Sequence, residues 1–407
     1  MLTSLAFIFL VGLAMAAICQ KLQLPRIIGM LVTGIVLGPY ALDLLDPSIL
    51  AVSSELRQMA LIIILLKAGL SLDLSDLKKV GRPAVMMSCI PASFEILAFF
   101  LFAPHILGIT KIDAAVMGAV LGAVSPAVVV PRMVQLMDMK YGTSKSIPQL
   151  ILAGASCDDI FVIVLFSTFT SMAQGGNANL KDFVNIPISI LLGIVLGAAA
   201  GFILSLFFET AYAHEHCVRN SMKVIIVLGT SFMLTAIETW LKDIISVSGL
   251  LAVVSMACVL KMKSTAFVSK RLSEKFGKLW LAAEVILFVL VGAAVDIRYT
   301  MEAGLTAVVM IFTALLFRAA GVYICLLGTR LNLKERLFCM IAYMPKATVQ
   351  AAIGSVPLSL GLPCGKIILS VAVLAILITA PLGAIGMDQS YKKLLCRDKD
   401  GDSHLRL

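Results

Sequence analysis

Runs of about twenty apolar residues recur from one end of this chain to the other, and that recurrence restricts the fold more than any other feature. Thirteen such runs can be marked, at approximately 2–19, 27–44, 55–71, 82–106, 112–136, 147–172, 184–208, 221–241, 246–262, 279–297, 302–327, 335–360 and 365–387. A stretch of that length can cross the hydrocarbon core as a helix, because a spanning segment must satisfy its own backbone hydrogen bonds. Charged residues make up 14% of the 407, against about 25% in a soluble domain. The expectation is an all-α polytopic membrane protein, residues 1–387 forming a single membrane domain. Residues 388–407 form a polar tail. The stretch 263–278, "KSTAFVSKRLSEKFGK", reads as a basic surface helix or linker.

The placement of Lys and Arg gives an orientation. Counting basic residues near a run's end with the adjoining connection, the connections after odd-numbered runs, with the tail, hold 24 of them; those after even-numbered runs hold 6. Cytoplasmic loops carry the excess of positive charge, so the N-terminus is expected outside and the C-terminal tail in the cytoplasm. The net charge of +9 is thereby a property of topology, and nucleic acid is not expected as a partner; lipid is. The first run has no basic residue ahead of it, so it reads as a span and not as a cleaved signal. The nine cysteines are scattered without C-x-x-C or finger spacing, which gives no disulfide framework and no zinc site.

Two runs are interrupted by proline. The fifth contains "GAVSPAVVVP", with Pro126 and Pro131; the twelfth contains "YMPKATVQAAIGSVPL", with Pro345, Gly354 and Pro357. Proline removes a helix hydrogen bond and clashes with the preceding turn. Within a bilayer such a break is tolerated where neighbours or a water-filled cavity satisfy the backbone. A pair of broken helices in corresponding halves points to an inverted-repeat secondary transporter.

Ionisable residues inside spans are rare and mark function. The clear set here is Lys67, Glu95, Asp158, Asp159, Arg318 and Lys346, with Glu284 nearer a span end. Asp158 and Asp159, in "LAGASCDDIFVIVLF", lie near mid-membrane, and consecutive helical positions point about 100° apart. One can line a cavity while the other turns to a neighbouring helix. A partly desolvated carboxylate can exchange a proton near neutral pH, and when ionised it is a hard oxygen ligand for a small cation such as Na⁺ or Li⁺. Competition between proton and cation for one group couples their movements. Arg318 stays protonated and needs a carboxylate, with Glu95 and the aspartates as candidates. Lys346 follows Pro345 and can neutralise converging helix ends. Lys67 reads as snorkelling to the interface. Ser125 and Thr348 offer hydroxyls at the two breaks.

The stretches "LPRIIGMLVTGIVLGP", "GAVLGAVSPAVVVPRM", "ASCDDI" and "MPKATVQAAIGSVPL" resemble the monovalent cation:proton antiporter superfamily, most closely its sodium/proton antiporter NHA branch, related to NhaA and NapA. The resemblance implies thirteen helices in inverted repeats with two crossing broken helices. A panel forms the homodimer, and a six-helix core (about 82–172 and 279–387) moves against it. It implies that Asp159 is the principal cation and proton ligand with Asp158 beside it, and that Arg318 and Glu95 form a supporting pair. Arg318 stands where the best-known bacterial exchangers carry lysine paired with the first aspartate. The expected function is Na⁺(Li⁺)/H⁺ antiport by alternating access in a cell membrane, with the short termini suggesting a bacterial plasma membrane. No cofactor is expected beyond the transported ions. The alternatives are K⁺/H⁺ antiport on the same fold and a channel-like or sensor protein. An enzyme is disfavoured, because the four histidines (105, 214, 216 and 404) lie near span ends or in loops and no nucleophile motif is present.

Overall fold

The structure is a computed structural model that describes residues 1–22, 24–71, 81–174, 180–213, 220–241, 247–296 and 304–397. His214, His216 and His404 lie outside the described residues, as does the tail beyond 397. Among the described residues the regular structure is helical. In order these helices are α1 (Leu2–Lys21), α2 (Arg26–Leu37), α3 (Pro47–Ala51), α4 (Ser53–Ser71), α5 (Arg82–Met87), α6 (Ile90–Leu107), α7 (Lys111–Leu121), α8 (Pro126–Asp138), α9 (Ile147–Gln174) and α10 (Leu180–Ala213). They continue as α11 (Asn220–Leu241), α12 (Gly249–Lys263), α13 (Ala266–Ala293), α14 (Gly304–Cys325), α15 (Leu333–Ala342), α16 (Thr348–Gly354), α17 (Val356–Ser359) and α18 (Gly365–Leu394).

Each of the thirteen expected runs contains helix among the described residues, but not one helix apiece, and the second is helical only to Leu37. The fourth is α5 and α6, the fifth α7 and α8, and the twelfth α15, α16 and α17. Nine helical stretches among the described residues are long and apolar enough to cross a membrane, and the chain is a multi-pass membrane protein. The basic stretch 263–278 is helical over most of its length, as one of the two expectations had it: Lys263 ends α12, and α13 begins at Ala266 and runs on without a break into the tenth span. Of the two prolines in the fifth run, Pro126 opens α8 while Pro131 lies inside it. Proline suits a first helical position, where its missing N–H would find no intrahelical partner.

The chain divides into two compact units. Residues 52–72 and 163–287 make one. Its tightest packing sets α10 on α12. Gly193, Gly197 and Gly201 lie one turn apart on one face of α10, and a Cβ on each would meet the backbone carbonyl of Ser248, Ala252 and Met256 respectively. Helices in lipid lack a hydrophobic force between them and gain instead from close backbone approach at small residues.

Residues 1–51, 73–162 and 288–407 make the other unit. Here α6 packs along α14 and α7, while α18 touches α7, α8, α15, α16 and α17. Thr110 caps α7 by accepting from the Asp113 N–H at 3.1 Å. Asn332 and Glu335 form a reciprocal capping box at the start of α15, and both oxygens of buried Glu335 also accept from Lys145 Nζ, at 2.9 and 2.8 Å. The last helix runs past the expected span end at 387 to Leu394. Its end returns to α8 and the turn that follows it: Arg132 of α8 makes a two-pronged bond to Asp388 (3.0 Å each), and the Tyr141 and Tyr391 rings meet edge-on at 5.0 Å. The Gly142 N–H donates to the Cys396 carbonyl at 2.9 Å, beside the antiparallel bridge of Tyr141 and Arg397.

Candidate functional site

The two broken helices present their ends to each other. The first break, Gly122–Ser125, leaves the last carbonyls of α7 without helical partners; the second, Tyr343–Ala347, does the same for α15 and frees the first N–H groups of α16. A buried backbone group without a partner costs several kcal/mol in lipid, so each must be satisfied locally. The Ser125 N–H donates directly across to the Pro345 carbonyl at 2.8 Å. Side chains satisfy several others.

Arg318, on α14, reaches both breaks. Its Nε donates to the Tyr343 carbonyl at 2.6 Å, and its Nη1 donates to the Gly122 carbonyl and, at 2.7 Å, to Glu95 Oε2. Its Nη2 donates to Asp158 Oδ2 at 2.8 Å. The guanidinium fork suits this because its donors are fixed in one plane. Lys346, in the second break, donates through Nζ to Glu95 Oε2 at 2.6 Å and to the Ala123 carbonyl at 3.2 Å. Its own N–H donates to Thr379 Oγ1 at 2.9 Å. Asp158 Oδ2 also accepts from the Val124 N–H at 2.8 Å. Sequence left Arg318 a choice between Glu95 and Asp158; the structure gives it both, and gives Lys346 a share of Glu95.

Glu95, Asp158, Arg318 and Lys346 are 2%, 0%, 1% and 1% exposed, so the four charges are removed from water together. Two are negative and two positive, which makes the set neutral. Buried charges are tolerated when paired and hydrogen-bonded in this way. Asp159, the next residue after Asp158, is 8% exposed, and its Oδ1 has no hydrogen-bond partner among the described residues. Asp158 Oδ1 and Ser125 Oγ are likewise buried without partners. Thr348 is buried at the first position of α16. The residues singled out from sequence around the breaks thus fall into three kinds: a closed set of four charges, an Asp159 whose Oδ1 has no partner among the described residues, and hydroxyls at the breaks.

Lys67 and Glu284 belong to the other unit. There Lys67 Nζ lies 5.7 Å from the Trp280 ring and within electrostatic reach of Glu284. Among the described residues no group of three or more His, Cys, Asp or Glu side chains is arranged to hold a metal ion.

Two residues of the site carry no formal charge and did not stand out in the sequence. Gln350 is fully buried on α16 and donates through Nε2 to the Ala123 carbonyl at 2.8 Å and the Leu121 carbonyl at 3.5 Å; its Oε1 accepts from the Ala347 N–H at 2.8 Å. Tyr343 lies with its ring centroid 5.6 Å from the Arg318 guanidinium carbon and its Oη without a partner. That Oη is pressed against Gly154, one turn before Asp158, where an added Cβ would collide with it. A glutamine three residues beyond the break was the available signal for the first, since glutamine at the third helical position commonly returns to cap the N–H ahead of it.

Residues 5–387 match the family described as sodium/hydrogen exchanger, transmembrane. Human sodium/hydrogen exchanger 9B2 is 35% identical over 343 residues, covering 82% of this chain and 62% of its own length. The mouse protein of that name is 33% identical over 375 residues, covering 89% and 67%. The chain therefore spans about 62% of the length of the human relative. The structure of the sodium proton antiporter MjNhaP1 from Methanocaldococcus jannaschii at pH 8 superposes with a TM-score of 0.82 at 21% identity, covering 97% of this chain and 98% of that one. The two share a fold.

Proposed function

Because this chain belongs to the sodium/hydrogen exchanger family, we propose that it is a secondary active Na⁺/H⁺ antiporter whose exchangeable group is Asp159. The observation that carries this is the charge balance at the breaks. Glu95, Asp158, Arg318 and Lys346 cancel, so an ionised Asp159 leaves one buried negative charge with nothing to offset it. An uncompensated buried ion costs several kcal/mol. One proton or one monovalent cation removes that cost, and the two cannot occupy the carboxylate together. Either load lets the site cross between its outward and inward states; the empty site is held back by its charge. Exchange follows from the shared seat, with no leak of either ion alone.

The partnerless oxygens of Asp158 and Asp159 and the Ser125 hydroxyl supply the hard oxygen donors that a small cation takes. Li⁺ is the expected substitute load for Na⁺. Asp158 acts beside Asp159 by holding Arg318 and the Val124 N–H, and Arg318 with Glu95 supports it. We further infer a homodimer in which a core of about 82–172 and 279–387 moves against a panel formed by the remainder. The N-terminus is outside and the C-terminus cytoplasmic, as the Lys and Arg distribution supports.

The test is reconstitution of the full chain in proteoliposomes with a pH-sensitive dye and inward gradients of Na⁺, Li⁺ or K⁺. Na⁺ and Li⁺ should each drive proton movement and K⁺ should not. Asp159→Asn and Asp159→Ala should abolish it. Robust Na⁺-dependent proton movement by either variant would overturn the assignment to Asp159, and K⁺ working as well as Na⁺ would overturn the stated selectivity.

A further inference from the structure

The ionic links between the two breaks pass through charged groups, and two of these, Asp158 and Arg318, interact electrostatically with Asp159. One link is uncharged. Gln350 joins the end of α7 to the start of α16 by a neutral amide, fully buried, with every bond made to backbone. The amide's orientation is fixed by chemistry: the Ala347 N–H can only donate, and the Leu121 and Ala123 carbonyls can only accept. Ala347 lies three residues before Gln350 in the chain, and Ala123 lies 227 residues away. The side chain therefore closes its own helix start while gripping the other break.

What it grips matters. The Ala123 carbonyl and the Val124 N–H belong to one peptide group, which is planar. Gln350 Nε2 holds the carbonyl at 2.8 Å, and the N–H on the opposite edge donates to Asp158 Oδ2 at 2.8 Å. Turning that peptide plane would withdraw the N–H from Asp158. Lys346 Nζ shares the same carbonyl at the longer distance of 3.2 Å, but its hold changes whenever the charge around it changes.

We infer that Gln350 is a positioning residue: through the Ala123–Val124 peptide it fixes the orientation of Asp158, and it keeps the two breaks in register while the load on Asp159 alternates. This rests on the exchange reading for its functional readout, and on geometry alone for its structural one. The carboxamide is the required chemistry. Glutamate keeps the acceptor and, ionised, loses the donors; leucine loses both; asparagine is one methylene too short to reach the far carbonyl from the same backbone.

Gln350→Glu, Gln350→Leu and the wild-type chain should be compared in two assays. In proteoliposomes both variants should raise the apparent KM for Na⁺ about tenfold, equivalent to about 1.4 kcal/mol, with the maximal rate changed less. Gln350→Glu should in addition displace the pH profile. By amide hydrogen exchange in detergent, protection over residues 121–126 and 346–350 should fall together in Gln350→Leu, while in Gln350→Glu it should fall over 121–126 only, because its acceptor for the Ala347 N–H remains. Wild-type KM and pH profile in both variants, or lowered thermal stability with KM unchanged, would overturn the inference. So would unchanged protection over 121–126, which is read without transport. Failure of the antiport reading registers elsewhere, as absence of Na⁺-driven proton movement by the wild-type chain itself.

Discussion

The neutral set of four charges predicts a strong, sign-specific coupling between Glu95 and Lys346. Glu95 Oε2 alone receives Arg318 Nη1 and Lys346 Nζ, at 2.7 and 2.6 Å. Glu95→Gln leaves two buried cations facing one carboxylate, Asp158. Breaking a buried pair by removing one partner costs about 3–5 kcal/mol, and Lys346→Met, which strands the surplus negative charge instead, should cost a similar amount. If the two acted independently, the double variant would lose about 6–10 kcal/mol. The structure predicts far less. With both gone, Arg318 and Asp158 remain as a neutral pair, the amide oxygen at 95 still accepts from Arg318, and the Ala123 carbonyl keeps Gln350. Replacing a buried ion pair by uncharged groups of similar volume is often close to neutral, so the double variant should cost about 1–3 kcal/mol and the coupling energy should be at least about 3 kcal/mol. Equilibrium unfolding of purified protein in mixed detergent and SDS, run as a double-mutant cycle, measures it. Singles that add to within about 0.5 kcal/mol would refute the reading that these charges form one balanced set.

Three further outcomes follow from the same geometry. Asp158→Asn keeps an oxygen for the Val124 N–H but leaves the set one positive charge in excess; an ionised Asp159 is then offset internally, so Na⁺ affinity should fall by at least about tenfold, or 1.4 kcal/mol, while the protein stays folded. Isothermal titration or Na⁺-dependent thermal shift reads this, and an unchanged Na⁺ shift would contradict it. Gly154→Ala places a methyl against the Tyr343 hydroxyl and should cost about 1–3 kcal/mol as overpacking, with partial recovery in Gly154→Ala/Tyr343→Phe; no recovery would place the clash elsewhere. Outside the membrane, the Ser48 hydroxyl and N–H hold the Asp46 carboxyl down at about 2. A depressed carboxylate contributes stability that is complete above its ordinary value near 3.9 and is lost as pH falls toward 2, so Asp46→Asn should flatten the acid-unfolding curve between pH 4 and 2, followed by tryptophan fluorescence.

Much of the candidate site could be read from sequence because a charge deep in an apolar run is costly and calls for a partner or a function. Asp158, Asp159, Glu95, Arg318 and Lys346 announced themselves by cost alone, and Pro126 and Pro345 located the breaks. The partners could not be read. Arg318 and Glu95 are separated by 223 positions, and Lys346 and Glu95 by 251, and sequence spacing says nothing about which helices become neighbours. Gln350 and Tyr343 went unmarked for a different reason: an amide or a phenol in a membrane helix carries little penalty that composition can register, and their roles depend on backbone groups that every residue has. The extent of α13 was hidden by charge, since the basic segment ahead of the tenth span looked like a boundary when its helix simply begins before the apolar stretch does.

The clasp between the end of α18 and the turn ahead of α9 has a practical reach. Arg132, Tyr141 and Gly142 hold Asp388, Tyr391 and Cys396, and that turn leads straight into the helix bearing Asp158 and Asp159. A force applied just beyond Arg397, by a bulky fluorescent fusion or an antibody, is thereby delivered to the joint between the first broken helix and the carboxylates, not dissipated in a slack tether. Reporters attached there sense, and disturb, the element that carries the ion. A spacer long enough to leave residues 388–397 seated is a design requirement for any fusion at that end.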